Sequence, residues 1–256
     1  MQNSFNTGEV AVIILAAGLG TRMKSDRAKV LHEILGRPMI LYIVETAKKI
    51  AGNNVVLVIG NQAEKVREIV SEGNDVSFAL QENQLGTGHA VLCAMPEIPD
   101  HIDDILILCG DVPLITADTL MQFMVDHTEA KRDVSLLAVE VDNPKGYGRV
   151  LIDRDMNISG IAEDADSTKE QKKIRTINSG IYCAGKDYLA DTLQKIRPDN
   201  MQGEFYLTDI IGIGYKEGKS VGATIGSDSE EFIGVNTPDD LKTVEAILRQ
   251  RSGKIS

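Results

Sequence analysis

Apolar residues fall first into short unbroken runs and then into spaced patterns, and the alternation of the two predicts the fold. Val10-Ala-Val-Ile-Ile-Leu-Ala-Ala17 is a continuous apolar run that stops at glycine. That is the pattern of a strand buried on both faces of a parallel sheet. Pro38 to Ile50 opens on proline, with apolar residues at helical spacing, and Asn54 to Ile59 reads as a second buried strand, so the three make a β-α-β unit. The alternation continues with a helix near Ala63 to Val70, a strand near Val76 to Leu80, a helix from about Gly88 to Met95 and a strand at Asp104 to Cys109. Such repetition predicts an α/β fold with a doubly wound, mostly parallel sheet. Ligands of these sheets sit beyond the carboxyl ends of the strands, where strand order reverses. The loops after Ala17 and Cys109 fall at such ends.

Past residue 134 the rhythm changes. Ser135 to Val141, Gly148 to Ile152, Ile158 to Glu163 and Ile177 to Ala184 read as strands with short connections, expected to add antiparallel strands that cover the site. Lys186 to Ile196, Tyr206 to Tyr215 and Asp239 to Gln250 read as helices, with a strand at Val221 to Ile225. Without a repeat or an obvious linker, 1–256 reads as one domain: a half at 1–134, a second at 135–236 and a closing helix in 237–256.

Composition narrows the class. Hydrophobic residues make up 43% and charged residues 25%, the balance of a soluble globular protein. A net charge of -11 argues against holding long nucleic acid, which needs surplus cations. A small phosphorylated ligand needs only local cations, backbone N–H groups or a metal. Cys93, Cys109 and Cys183 form no disulfide framework and no zinc spacing. The first apolar run is too short to span a bilayer, and a cytoplasmic protein without membrane partners is expected.

Candidate chemistry gathers in the loops. Gly18-Leu-Gly-Thr-Arg22 follows a buried strand, where backbone N–H groups can turn toward phosphate oxygens, or where the chain simply makes a tight turn. It is neither a Rossmann fingerprint, since Met23 stands at the third glycine, nor a P-loop. Lys29 is a surface lysine or, near a phosphate loop, a charge for a transferring phosphoryl group. Gln81-Glu-Asn-Gln-Leu-Gly-Thr-Gly88 offers amides to a nucleobase through Gln81 or Gln84, or it caps a helix. Asp111, at the end of a strand, is a turn residue or a hard oxygen ligand for Mg²⁺. The four histidines are dispersed, and no Ser/His/Asp set stands out.

Taken together, Leu15-Ala-Ala-Gly-Leu-Gly-Thr-Arg-Met23, Lys29-Val-Leu-His32, Gln84-Leu-Gly-Thr-Gly-His-Ala90 and Gly110-Asp-Val-Pro-Leu114 resemble the sugar nucleotidyltransferases. Gly146-Tyr-Gly-Arg149, Ile161-Ala-Glu163, Ile177-Asn-Ser-Gly180, Gly203 to Asp209 and Gly234-Val-Asn236 bring the likeness nearest to the N-acetylglucosamine-1-phosphate uridyltransferase domains of bifunctional enzymes. The resemblance implies a Rossmann-like nucleotidyltransferase fold and transfer of a uridylyl group from UTP to N-acetylglucosamine 1-phosphate, a step toward cell wall precursors. Other sugar 1-phosphates, such as glucose 1-phosphate, and a non-catalytic nucleotide sensor are the alternatives. It implies that Leu15, Ala17, Gly18, Gly20, Arg22, Lys29 and Asp111 hold the nucleotide, that Arg22 and Lys29 are catalytic, and that Gln81, Gly86 and Thr87 hold uridine. Asp111 and Asn236 would bind Mg²⁺, while Gly148, Glu163, Asn178, Thr208 and Asn236 would meet the sugar side. Cys109 stands where relatives often carry an aromatic residue, and Ala28 where proline is usual. No acetyltransferase β-helix of hexapeptide repeats is expected in the chain. Asp164 and Asp166 have the spacing of a glycosyltransferase metal motif but read as a solvated acidic turn.

Overall fold

The computed structural model describes residues 7–253. The outermost residues of the expected single domain, 1–6 and 254–256, lie outside them. In chain order the elements are β1 (Val10–Leu15), β2 (Glu33–Ile34), β3 (Arg37–Pro38), α1 (Met39–Ala51), β4 (Val55–Ile59), α2 (Ala63–Ser71), β5 (Ser77–Leu80), α3 (Thr87–Ala94), β6 (Asp104–Cys109) and α4 (Ala117–Glu129). They continue with β7 (Val134–Glu140), β8 (Arg149–Ile152), β9 (Ile158–Ala162), β10 (Thr176–Gly185), α5 (Lys186–Leu193), α6 (Asp209–Lys216), β11 (Val221–Gly226) and α7 (Pro238–Gly253).

The main sheet runs β11-β7-β10-β6-β1-β4-β5, with β8 on β10 and β9 on β8. From β1 the chain steps outward through β4 and β5, then returns to lay β6 on the other side of β1. Both neighbours of β1 are parallel to it. Strand order therefore reverses between β1 and β6, and the two candidate loops leave the sheet there side by side. Because side chains alternate along a strand, β1 feeds two cores. Val12 and Ile14 pack with Ile43 of α1, Val66 of α2 and Phe123 of α4. Ala11 and Ile13 pack with Val91 of α3, Leu189 of α5 and Ile210 of α6.

The second half departs from expectation in one respect. β10 is antiparallel to both β6 and β7, so β7 runs in the direction of the first-half strands, and β11 is parallel to β7. In the main sheet, among the described residues, antiparallel pairing is confined to β10 and the β8–β9 hairpin. Helix α4 is an element the hydrophobic pattern carries but the reading above omits. Thr116 caps it by accepting from the Thr119 N–H, and Leu120, Phe123, Met124 and His127 bury one face at helical spacing. The two-residue strands β2 and β3 close through Leu35 and Gly36, both at positive φ (52° and 78°), the geometry of a type I′ hairpin turn that leucine seldom fills.

A third, smaller core joins Met23, Ile34, Met39, Leu114, Val235 and Val244 of α7. Met23, Val235 and Leu114 follow Arg22, precede Asn236 and close the Gly110-to-Leu114 segment. One apolar patch thus fastens three loops of the candidate site. Among the described residues no helix is long and apolar enough to cross a membrane.

Candidate functional site

Leu15 of β1 is in register with Cys109 of β6, so the chain segments beyond them emerge together. Gly110 donates from its N–H to the Leu15 carbonyl at 2.9 Å, and a Cβ there would stand 3.0 Å from that oxygen. Gly20 turns the first loop at φ 63° and ψ 32°. A Cβ on Gly20 would lie 2.6 Å from the Lys29 Cβ. Among the described residues, none accepts a hydrogen bond from the N–H groups of Gly18 to Arg22, as a phosphate cradle requires. Ala28 holds φ -53° and ψ 135°, the backbone a proline would preset.

Four polar side chains converge beside this loop. Lys29 Nζ donates to Asp111 Oδ2 at 2.5 Å and to Asn236 Oδ1 at 3.2 Å, and Arg22 Nη2 donates to the same Asn236 oxygen at 2.9 Å. The Val235 N–H donates to the Asp111 carbonyl at 2.8 Å, which holds Asn236 against the end of β6. Thr237 and Asp240 form a reciprocal cap on α7, fixing the residue after Asn236.

Across the cleft, the loop before α3 is stitched to residues 204–207. Phe205 N–H donates to Leu85 O at 2.8 Å and Gly88 N–H to Phe205 O at 2.7 Å. The Thr87 hydroxyl accepts from Leu207 N–H at 3.0 Å. Gly86, at φ 116°, could carry no Cβ, since one would meet Phe205 O at 2.6 Å. Gln81 is buried, its Nε2 donating to Gly86 O at 3.0 Å.

A cavity of about 440 Å³ opens between the two sides. Its lining holds Leu15, Ala17, Gly18, Gly20, Arg22, Lys29, Gln81, Gly86, Thr87, Asp111 and Asn236, all residues given above to the nucleotide, the metal or catalysis. Gln84, Leu19 and Glu204 join them; Glu204 lies within the Gly203-to-Asp209 motif, but no contact was expected of it. Tyr147 is a second residue missed, with Asp240, Asp111 and Arg22 as charged neighbours; burial pushes its phenol above the ordinary range. Cys109 also lines the cavity. Burial pushes its thiol up to about 12, with Asp111 adding and Lys29 opposing, so it stays neutral and unreactive.

The sugar-side candidates Gly148, Glu163, Asn178 and Thr208 lie outside that lining but form their own cluster. Asn178 N–H donates to Gly148 O at 2.9 Å. A Cβ on Gly148 would stand 3.4 Å from both Glu163 carboxylate oxygens, and the Thr208 side chain hydrogen-bonds Glu163. A register shift in β10 between Asn178 and Ile181 bulges the strand, and bulges re-aim side chains beside sites. It brings Gly180 against Cys109, whose Sγ donates to the Gly180 carbonyl at 3.5 Å. That contact joins the cluster to the cavity wall.

Burial pushes Glu163 above the usual carboxylate range; Thr208 opposes this, and Asp166, Asp209 and Asp164 reinforce burial. A raised folded-state value means that the folded protein holds this proton more tightly, so stability is lost as pH rises through the window between the unfolded and folded values. Glu163→Gln removes that loss. The variant is expected to melt about 2 °C above the parent near pH 8, with the gap closing toward about pH 4. Thermal melts across pH check this, and a gap independent of pH would refute it.

Asp164 and Asp166 lie in a solvent-facing acidic turn, as expected, and both have partners there: the buried Arg149 guanidinium holds Asp164 at 3.0 Å, and Asp166 accepts from Met201 N–H at 2.9 Å. Compensating a buried cation needs such a partner. A Ser/His/Asp chain does exist, with His127 Nδ1 2.8 Å from Ser135 Oγ and His127 Nε2 3.5 Å from Asp104 Oδ1. Ser135 and His127 are buried and do not line the cavity, so the chain only satisfies polar groups in the core.

A family model described as nucleotidyl transferase matches residues 11–249. The chain belongs to this family. Among curated relatives of this nucleotidyl transferase, the bifunctional protein GlmU of Pelobacter propionicus is 45% identical over 242 residues, covering 94% of this chain and 53% of the relative. GlmU of Caldicellulosiruptor saccharolyticus is 45% identical over 243 residues, covering 94% and 52%. The chain spans about half the length of the curated relatives it matches. A putative glucose-1-phosphate thymidylyltransferase from Bacillus anthracis has the same fold, with a TM-score of 0.73 at 20% identity, covering 94% of this chain and 95% of that one. The nucleotidyl transferase family generally uses a divalent metal. The donor set fits one: a carboxylate and an amide oxygen, both hard ligands, converge on a point that the Lys29 ammonium meets.

Proposed function

We propose that the chain is a single nucleotidyltransferase domain, with residues 1–134 on the nucleotide side and 135–236 on the sugar side, that makes UDP-N-acetylglucosamine and pyrophosphate from UTP and N-acetylglucosamine 1-phosphate. Likeness to GlmU over nearly the whole chain supports this reading. The observation that carries it is the network of Arg22, Lys29, Asp111 and Asn236 at the mouth of the glycine loop. An oxygen of the sugar phosphate attacks the α-phosphorus of UTP. The bond to the β-phosphate oxygen breaks, and its electron pair leaves with pyrophosphate. The attacking oxygen is already anionic, so no general base is needed and catalysis is positioning plus charge stabilisation.

Leu15, Ala17, Gly18 and Gly20 line the triphosphate, Arg22 and Lys29 offset its charge, and Asp111 and Asn236 hold Mg²⁺. When bound, Mg²⁺ would neutralise phosphate oxygens. Thr87 and Gly86 shape the uridine pocket, and the oxygen of Gln81 accepts from uracil N3–H. Glu163, Asn178, Gly148 and Thr208 would meet the amino sugar, and Asn236 would serve both the sugar side and the metal. A cytoplasmic location accords with the three free thiols. Purified protein with UTP, Mg²⁺ and a panel of sugar 1-phosphates, read by pyrophosphate release and product mass, tests this. N-acetylglucosamine 1-phosphate should turn over fastest. Equal rates for all sugars would defeat the sugar assignment, and UTP binding without turnover would make the chain a sensor.

A further inference from the structure

Gln81 is 3% exposed, and both hydrogens of its amide nitrogen are spoken for. One goes to the Gly86 carbonyl at 3.0 Å, and the other meets His89 Nδ1 at 3.1 Å. A backbone carbonyl can only accept, so the nitrogen must face Gly86 and the amide oxygen must face the other way. The second hydrogen then needs a lone pair on His89 Nδ1, which fixes the neutral ring with its proton on Nε2. Cys93 Sγ lies 3.8 Å from that Nε2, a weak acceptor for the proton. The alignment is a product of α3, where positions 89 and 93 are four apart and share a face, while the helix begins at the glycine loop itself.

We propose that His89 is a positioning residue that locks the Gln81 amide so that the cavity presents an acceptor to the nucleobase. A base with N–H at N3, such as uracil, meets that oxygen. Cytosine, with a lone pair at N3, faces it as acceptor against acceptor and is rejected. This rests on reading Gln81 as the base contact. His89 itself touches neither base nor phosphate; it acts through Gln81.

The test compares UTP and CTP kinetics of the full chain with His89→Phe, His89→Asn and Gln81→Ala. His89→Phe strands one buried N–H of Gln81 and should raise KM for UTP about tenfold. The UTP-over-CTP preference should fall by a like factor, while KM for the sugar phosphate stays within about twofold. The oxygen of His89→Asn can accept from Gln81 and should restore most of the preference. A merely structural histidine would move stability without this split or this rescue. Gln81→Ala should abolish the preference. If it does while His89→Phe leaves UTP kinetics and preference intact, the role of His89 is refuted and the base contact stands. If Gln81→Ala keeps the preference, the base contact itself is wrong. Nitrogen NMR of labelled wild-type protein gives a check independent of any variant: His89 should carry its proton on Nε2, and an Nδ1–H tautomer would overturn the proposal.

Discussion

Asp111→Ala is expected to lower turnover of UTP by about a thousandfold, with the fold intact. The side chain supplies the only carboxylate among the four polar groups that converge beside the glycine loop, so its loss removes the charged anchor for a divalent metal. It also removes the partner of Lys29, leaving that ammonium to the neutral Asn236 oxygen. The backbone survives, because the contact from Val235 N–H is to the Asp111 carbonyl and no side chain is needed for it. Asp111→Asn keeps the shape and one oxygen without the charge, so it should fall between the two and recover partly as Mg²⁺ is raised. Alanine should not recover. Pyrophosphate release measured against Mg²⁺ concentration decides the matter, and full activity of Asp111→Ala would end the metal assignment.

Gly20→Ala should cost about a hundredfold in kcat/KM. Two independent constraints meet at this glycine. Its left-handed backbone costs an ordinary residue about 1–2 kcal/mol, and the added Cβ would come within 2.6 Å of the Lys29 Cβ. Lys29 has little room to withdraw, since it is tied to Asp111 and Asn236 and Val30 and Leu31 beside it are buried. The loop or the lysine must shift, and either displaces charge from the phosphates. Gly36→Ala is the control. It carries a similar backbone penalty at φ 78° with open space around its Cβ, so it should lower stability while sparing activity. Equal losses of activity in the two variants would refute the Gly20 argument.

The hydrophobic pattern made the first half legible because β1, β4 and β6 are buried on both faces and therefore unbroken in sequence. It left α4 unread although Leu120, Phe123, Met124 and His127 carried the helical spacing. Strand direction was another matter: nothing local tells β7 to run with β6 and β10 against it. Glycine loops and Asp111 were visible because they follow such strands. By residue type alone Gln81 and Gln84 were equal candidates for a base contact; in the fold their amides differ, Gln81 Nε2 donating to Gly86 O and Gln84 Nε2 donating back to the Gln81 carbonyl. Gly148, Glu163, Asn178 and Thr208 come from separate segments that only tertiary packing brings together, so resemblance pointed to them and spacing did not. The partners of Asp164 and His127 were equally invisible, because Arg149 and Ser135 reach them through tertiary packing.

The position of β10 between β6 and β7 also sets an order of events during synthesis. β6 follows β1, β4 and β5 in the chain and can pair with β1 at once, but its other edge has no neighbour until residue 185 has been made. Over that interval the growing chain carries an open, apolar strand edge, the kind of surface on which chains aggregate. Closing it requires a contact between distant parts of the sequence, which is slow. Slow closure makes the docking of β10 the step at which a chaperone would matter most.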